Sequence, residues 1–153
     1  MVKLIFRSVQ EHTKLAQLPL ENVRNNSDWQ EIYRWLSNRV GECSKSILPL
    51  ICICFDDTGE IIGYYALSDH EIICNCPAGK TWPGIIPIFD THSGKKYSPI
   101  LLEHACNQTK PRGFSEPYLV TEHLDYYERL CFTHTANAIY KHGLPTKVYR
   151  KVL

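Results

Sequence analysis

The tightest constraint in this sequence is local: two β-prone apolar runs, residues 47–55 and 60–67, flank Asp56-Asp57-Thr58-Gly59. Gly59 supplies the positive φ that a tight reversal needs, so the two runs fold back on each other as an antiparallel hairpin. Other elements are read around it. Residues 2–9 give an opening strand, residues 11–18 a short helix ended by Pro19, and Ser27-Asp28-Trp29-Gln30 a capping box. Trp29, Ile32, Tyr33, Leu36 and Val40 then recur at helical spacing. Residues 69–83 read as a strand tail and a loop, and residues 84–89 as a short strand. Ser98 and Pro99 form an N-cap and first helical position, leading to a helix whose apolar side is Ile100, Leu101, Leu102, Ala105 and Cys106. Residues 118–120 make a strand, Thr121 caps a helix over 122–130, and residues 132–140 and 146–153 are two closing strands. Neighbouring strands mixed with single crossover helices predict a mixed sheet covered by helices.

At 153 residues the chain has the size of one domain, residues 1–153, and the apolar share of 44% beside 22% charged residues is that of an ordinary globular protein. A net charge of +1 offers no reason to expect a nucleic-acid or membrane-surface footprint. Between Lys3 and Arg7 only Leu4, Ile5 and Phe6 are apolar, too few for a signal-peptide core or a bilayer span. Seven cysteines without a secretory signal are expected to be reduced thiols of a cytoplasmic protein. Cys52-Ile-Cys54 and Cys74-Asn-Cys76 are spaced more closely than usual zinc ligand pairs, and alternate residues of a strand pack on one side as small hydrophobes. No metal is expected; a zinc site would require the two pairs to meet across a sheet.

The block Tyr118-Leu-Val-Thr121-Glu-His-Leu-Asp-Tyr-Tyr127-Glu-Arg-Leu-Cys-Phe132 resembles the fifth strand, fourth helix and Tyr-Glu-Lys-Leu-Gly-Phe ending of the GNAT superfamily of acyl-CoA-dependent N-acyltransferases. Cys131 stands where that family has glycine. Residues 57–63 resemble its hairpin between the second and third strands. The resemblance implies an α/β (α+β) fold with a mixed, mostly antiparallel twisted sheet of about seven strands flanked by about four helices. It also implies acetyl-CoA as acyl donor, lying between the splayed fourth and fifth strands with its pantetheine paired to backbone near Ile86 and Ile88. In the family a Gln/Arg-x-x-Gly-x-Gly/Ala loop at a helix entrance wraps the pyrophosphate, where backbone N–H groups and the helix dipole meet the anion. Here Ser93, Lys96 and Ser98 stand at the signature positions, with Gly94 and Lys95 beside them.

Tyr127 resembles the family's general acid for the departing thiolate; its bland alternative is a core aromatic on one helical face with Leu124 and Cys131. Asp90, His92 and His123 are candidates for the base that frees the amine, but such residues are more often solvated or capping, and none is assigned as the base. Trp29, Tyr33 and Trp35 either line an acceptor cleft or belong to the core. The expected activity is acetyl transfer to a primary amine by direct attack, on a small molecule or a protein amine. The rival reading is a non-catalytic GNAT-fold binding or regulatory module, favoured by the altered loop. A homodimer is left open.

Overall fold

A computed structural model describes residues 3–8, 50–69, 71, 73–84, 97–123 and 125–152. Among these residues seven strands appear: β1 (Ile5–Ser8), β2 (Leu50–Phe55), β3 (Ile61–Ser68), β4 (Trp82–Gly84), β5 (Tyr118–Thr121), β6 (Phe132–Ile139) and β7 (Pro145–Lys151). Among the described residues there is one α-helix, α1 (Tyr97–Asn107), with 3-10 turns at Lys110–Arg112 and Glu128–Leu130. The strands form a four-stranded sheet of order β1-β2-β3-β4 and a three-stranded sheet of order β5-β7-β6. The expected seven-stranded mixed architecture is therefore present, divided between two sheets. Of the four expected helices, those over 11–18 and 27–40 lie outside the described residues, and the one over 122–130 is a correction. The Thr121 Oγ1 accepts the His123 N–H at 3.0 Å, but this closes a local turn with no helix behind it: Asp125 turns to φ 66° and only the 3-10 turn follows. An Asp tolerates that left-handed backbone and a helix does not continue through it.

The chain divides into two compact units: residues 1–66 with 85–101, and residues 67–84 with 102–153. In the first, β1 pairs antiparallel with β2, from Ile5 opposite Phe55 to Ser8 opposite Cys52. The hairpin read from sequence closes at Asp56, whose N–H donates to the Glu60 carbonyl at 2.9 Å, with Gly59 at φ 87°. One carboxylate oxygen of Asp56 accepts from the Thr58 N–H, the Thr58 hydroxyl and the Glu60 N–H. The short acceptor thus satisfies the donors that a three-residue reversal leaves behind. Ile51, Cys52, Ile53 and Cys54 are all buried, so β2 is covered on both faces. Cys54 packs with Ile62 and Leu101, joined by Leu4, Phe6 and Tyr97, as the small hydrophobe its alternation predicts.

In the second unit β5 and β6 both run antiparallel to β7, with Leu119, Tyr149 and His134 in one cross-strand row. A bulge between His134 and Ala136 is clamped by the Thr135 hydroxyl, which donates to the Val148 carbonyl at 3.2 Å. The β6–β7 reversal uses Lys141-His142-Gly143, with Gly143 at φ 101° and the Tyr140 N–H donating to the Leu144 carbonyl at 2.9 Å. Ile73, Trp82 and Val148 form the core with Tyr118, Val120, Ala138 and Tyr140 against it. β4 begins earlier than the expected 84–89 because Trp82, 1% exposed, is held against Tyr118 at 5.5 Å between rings. The burial of one indole outweighs the loop-like composition around it. Cys74 and Cys76 sit in a turn with Asn75 at φ 56°, so the strand reading of that pair is corrected. The six described cysteines, this pair included, are free thiols, and no cluster of three or more metal-ligating side chains occurs among the described residues.

Burial pushes the Cys54 thiol up to about 12, with Cys52 and Asp56 adding to it, and the Cys106 thiol up to about 11. Above the ordinary thiol range the unfolded chain loses these protons first, so it binds fewer protons than the native state and stability falls as pH rises. The contribution of these two thiols should be flat below about pH 8 and decline toward pH 11. Denaturant unfolding of wild type and Cys106→Ala at pH 8 and 11 checks this. Wild type should lose about 2 kcal/mol more than the variant; equal losses would place Cys106 in contact with water.

Candidate active site

β4 and β5 approach each other at one parallel bridge, Thr81 opposite Pro117, and then belong to different sheets. The Tyr118 N–H donates to the Thr81 carbonyl at 2.8 Å. The fully buried Thr81 hydroxyl donates to the Glu116 carbonyl at 3.4 Å and lies 3.3 Å from the Thr109 hydroxyl. Backbone and side chain together pin the two strands at their starts, and no further bridge between them occurs among the described residues, which on the β4 side end at Gly84.

After β5 the chain reverses through a compact turn built on Tyr127. The Phe132 N–H returns to the Tyr127 carbonyl at 3.0 Å, and the Cys131 N–H to the Glu128 carbonyl at 3.1 Å. Cys131 sits at φ 69°, in the left-handed region. This bond pair, with a left-handed residue inside it, is the Schellman ending of a helix, and the aromatic contact between Tyr127 and Phe132 is the apolar pairing that accompanies such endings. The same bond pattern closes the Lys110–Arg112 turn, where the left-handed residue is Gly113. Glu128 ties the turn to the sheet, accepting the hydroxyl of Tyr149 at 2.9 Å. That bond holds the Tyr149 phenol above its ordinary range, while the Glu128 carboxyl is lowered by its own backbone N–H and then by Tyr149.

Tyr127 itself is half-buried, and burial, then Tyr126 and Tyr140, push its phenol above the ordinary range. It is protonated at neutral pH, the state a proton donor requires. Tyr140, stacked on His142 at 4.9 Å, is raised by burial and by the Glu122 and Glu71 carboxylates. Tyr140, Glu122 and Glu71 are not singled out by sequence reasoning; the one signal for Tyr140 is its place just before the Gly143 reversal.

Of the other residues singled out by sequence, Ile86, Ile88, Gly94, Lys95 and Lys96 lie outside the described residues, as do Ser93, Asp90, His92, Trp29, Tyr33 and Trp35. Ser98 is described, but it lies inside the first turn of α1, which starts at Tyr97, and is not the N-cap. Pro99 follows in the same turn, where its missing N–H costs nothing. His123 is exposed.

No family model and no curated protein matches this sequence. Solved structures do. A protein assigned to the GNAT acetyltransferase family from Desulfovibrio desulfuricans superposes with a TM-score of 0.68 at 12% identity, over 98% of this chain and 99% of that one. A spermidine/spermine N-acetyltransferase of Vibrio cholerae gives 0.67 at 16%, over 98% and 92%. An aminoglycoside 6'-acetyltransferase type Ii gives 0.69 at 16%, over 97% and 95%. The chain has the GNAT acetyltransferase fold. Likeness at these identities carries the fold and leaves the chemistry to the site. No helix among the described residues is long and apolar enough to cross a membrane.

The Cys131 geometry of this GNAT-fold turn gives a stability test. A Cβ in the left-handed region costs roughly 1 kcal/mol relative to glycine, and the exposed Cys131 thiol has little packing to lose. Cys131→Gly should therefore be more stable than Cys131→Ala by about 1 kcal/mol in denaturant unfolding. An alanine variant as stable as the glycine one would mean that residue 131 continues a helix and that the Tyr127 turn is misplaced.

Proposed function

We propose that the chain is an acyl-CoA-dependent N-acyltransferase that moves an acetyl group from acetyl-CoA to a primary amine, with Tyr127 as the general acid. The carrying observation is the Tyr127 phenol, kept protonated by burial and by neighbouring phenols on a turn with a Schellman closure, in a chain of GNAT fold. In this reading the deprotonated amine attacks the thioester carbonyl directly. Tyr127 gives its proton to the sulfur as the carbon–sulfur bond breaks, so that free thiol leaves; the acylated nitrogen loses its extra proton to water, from which the phenol is reprotonated. Backbone near Ile86 and Ile88 would pair with pantetheine, and the helix entrance around Gly94, Lys95, Lys96 and Ser98 would take the phosphates. A helix entrance is a favourable place for an anion because of the helix dipole, which supports this reading.

The acceptor is proposed as a cationic amine. Glu71 and Glu122 beside Tyr140 favour an ammonium group arriving from water, and two of the fold neighbours act on spermidine or spermine and on an aminoglycoside. The second reading is a GNAT-fold module that binds without catalysing. Ser93, Lys96 and Ser98 in place of the loop signature are the observation in its favour.

Acetyl-CoA should raise the melting temperature, since a ligand of the native state stabilises it. Turnover with spermidine and an aminoglycoside as acceptors should follow. Binding without turnover on any amine would support the module instead, and no thermal shift at millimolar acetyl-CoA would remove the acyltransferase reading. Tyr127→Phe keeps the ring and removes the proton donor, so kcat should fall about 100-fold or more with acetyl-CoA affinity unchanged. The wild-type rate should decline with alkali only above pH 10, because the protonated phenol is the active form and its pKa is raised from 10.0. A variant with normal kcat would return Tyr127 to the core.

A further inference from the structure

β6 is the outer strand of the β5-β7-β6 sheet, and Thr133 to Asn137 are exposed along it. Exposed edges are normally protected by Lys, by Pro or by an inward charge. This one, Phe-Thr-His-Thr-Ala-Asn-Ala-Ile, carries no Lys, Arg, Asp, Glu or Pro. Its far end is already being extended: the Cys74 N–H donates to the Ile139 carbonyl at 2.8 Å, and Ile73 forms an antiparallel bridge with Tyr140. The Ile139 carbonyl therefore points away from β7. By the two-residue period of a strand, the backbone N–H and carbonyl of Asn137 point the same way. Pro77, two residues beyond the turn, carries no N–H with which to continue the ladder.

Where that ladder stops, a cavity of about 430 Å³ opens against the edge. Its floor includes Ala136, Ala138, Val148 and Tyr118, and none of its lining residues is charged. We propose that this edge is a docking site for an uncharged, extended segment of a partner polypeptide, which continues the Cys74 ladder past Asn137 and sets an apolar side chain over Ala136 and Ala138. An extended backbone is the occupant that answers outward N–H and carbonyl groups in a row, and the small alanines leave room for its side chain. The lining itself offers a charged segment no partner, and the nearby Lys80 ammonium is engaged over the Tyr118 ring at 4.9 Å. A second copy of the chain is the less suited occupant. The bulge at Thr135 twists the edge, and the Cys74 turn already occupies its Ile139 end, so a single strand has access where the edge of a whole sheet is obstructed. This surface stands independently of the acyltransferase reading.

Main-chain bonds supply the affinity in such docking, so a generic β-forming peptide is a sufficient probe. The probe is an octapeptide of alternating Val and Thr with a C-terminal fluorophore, followed by fluorescence anisotropy. Wild type should bind it saturably. Asn137→Pro removes the outward N–H without touching the β7 ladder, and Ala136→Lys charges an exposed position of the cavity; each should weaken binding at least 10-fold. A probe N-methylated at alternate residues should fail on wild type, a result that does not depend on the variants folding. No saturable binding by 1 mM, or binding unaffected by N-methylation and by both variants at unchanged melting temperature, overturns the proposal. Sedimentation showing a wild-type dimer that Asn137→Pro dissociates would assign the edge to a second copy and overturn it equally.

Discussion

The Phe132 N–H to Tyr127 carbonyl bond, at 3.0 Å, joins the Tyr127 turn to the start of the outer strand β6. It forces the chain through a left-handed residue at Cys131, points Phe132 into the core and sets the first residue of β6 opposite Lys151 of β7. The same bond holds the backbone of Tyr127, so the position of its phenol and the start of the outer strand are one constraint. Tyr149 adds the second anchor. Its ring is buried in β7 and its hydroxyl holds Glu128, the residue after Tyr127. A turn of three 3-10 residues would fray by itself; here it is tied to the sheet at both ends.

A comparable economy governs the meeting of β4 and β5. Two parallel strands joined through a full ladder would leave no room between them. The Thr81–Pro117 bridge joins them once, and the buried threonine hydroxyls stabilise that contact without lengthening it. Trp82, the next residue, fills the core beside Tyr118. The strands are thus held at their starts by polar and aromatic contacts, and among the described residues they belong to different sheets.

Legibility in the sequence followed how local each determinant is. The Asp56–Gly59 reversal was readable because its carboxylate, its glycine and its flanking runs are adjacent. α1 was readable because Pro99 and the apolar spacing of Leu101, Leu102, Ala105 and Cys106 lie within one helix, although Ser98 proved to be inside the first turn and not its cap. The helix expected after Thr121 failed on a single backbone choice: Asp125 at φ 66° is permitted by its side chain and announced by nothing around it. Trp82 was hidden in a loop-like stretch because its strand conformation is imposed by Tyr118, far along the chain. For the candidate site, Tyr127 came from the block ending at Phe132, and Cys131 at the glycine position marked a left-handed residue in advance. Tyr140, Glu122 and Glu71 could not be found that way, since their association depends on the β6–β7 reversal and on pairing of residue 73 with residue 140.

The central claim is that the turn at Tyr127 presents a protonated phenol to the sulfur of a bound acyl-CoA. A crystal structure of the protein with coenzyme A tests it most directly. The account predicts the Tyr127 hydroxyl within about 3.5 Å of the coenzyme thiol, close enough to hand over a proton. A thiol lying elsewhere, with Tyr127 turned into the apolar contact with Phe132 and no path to sulfur, would contradict it.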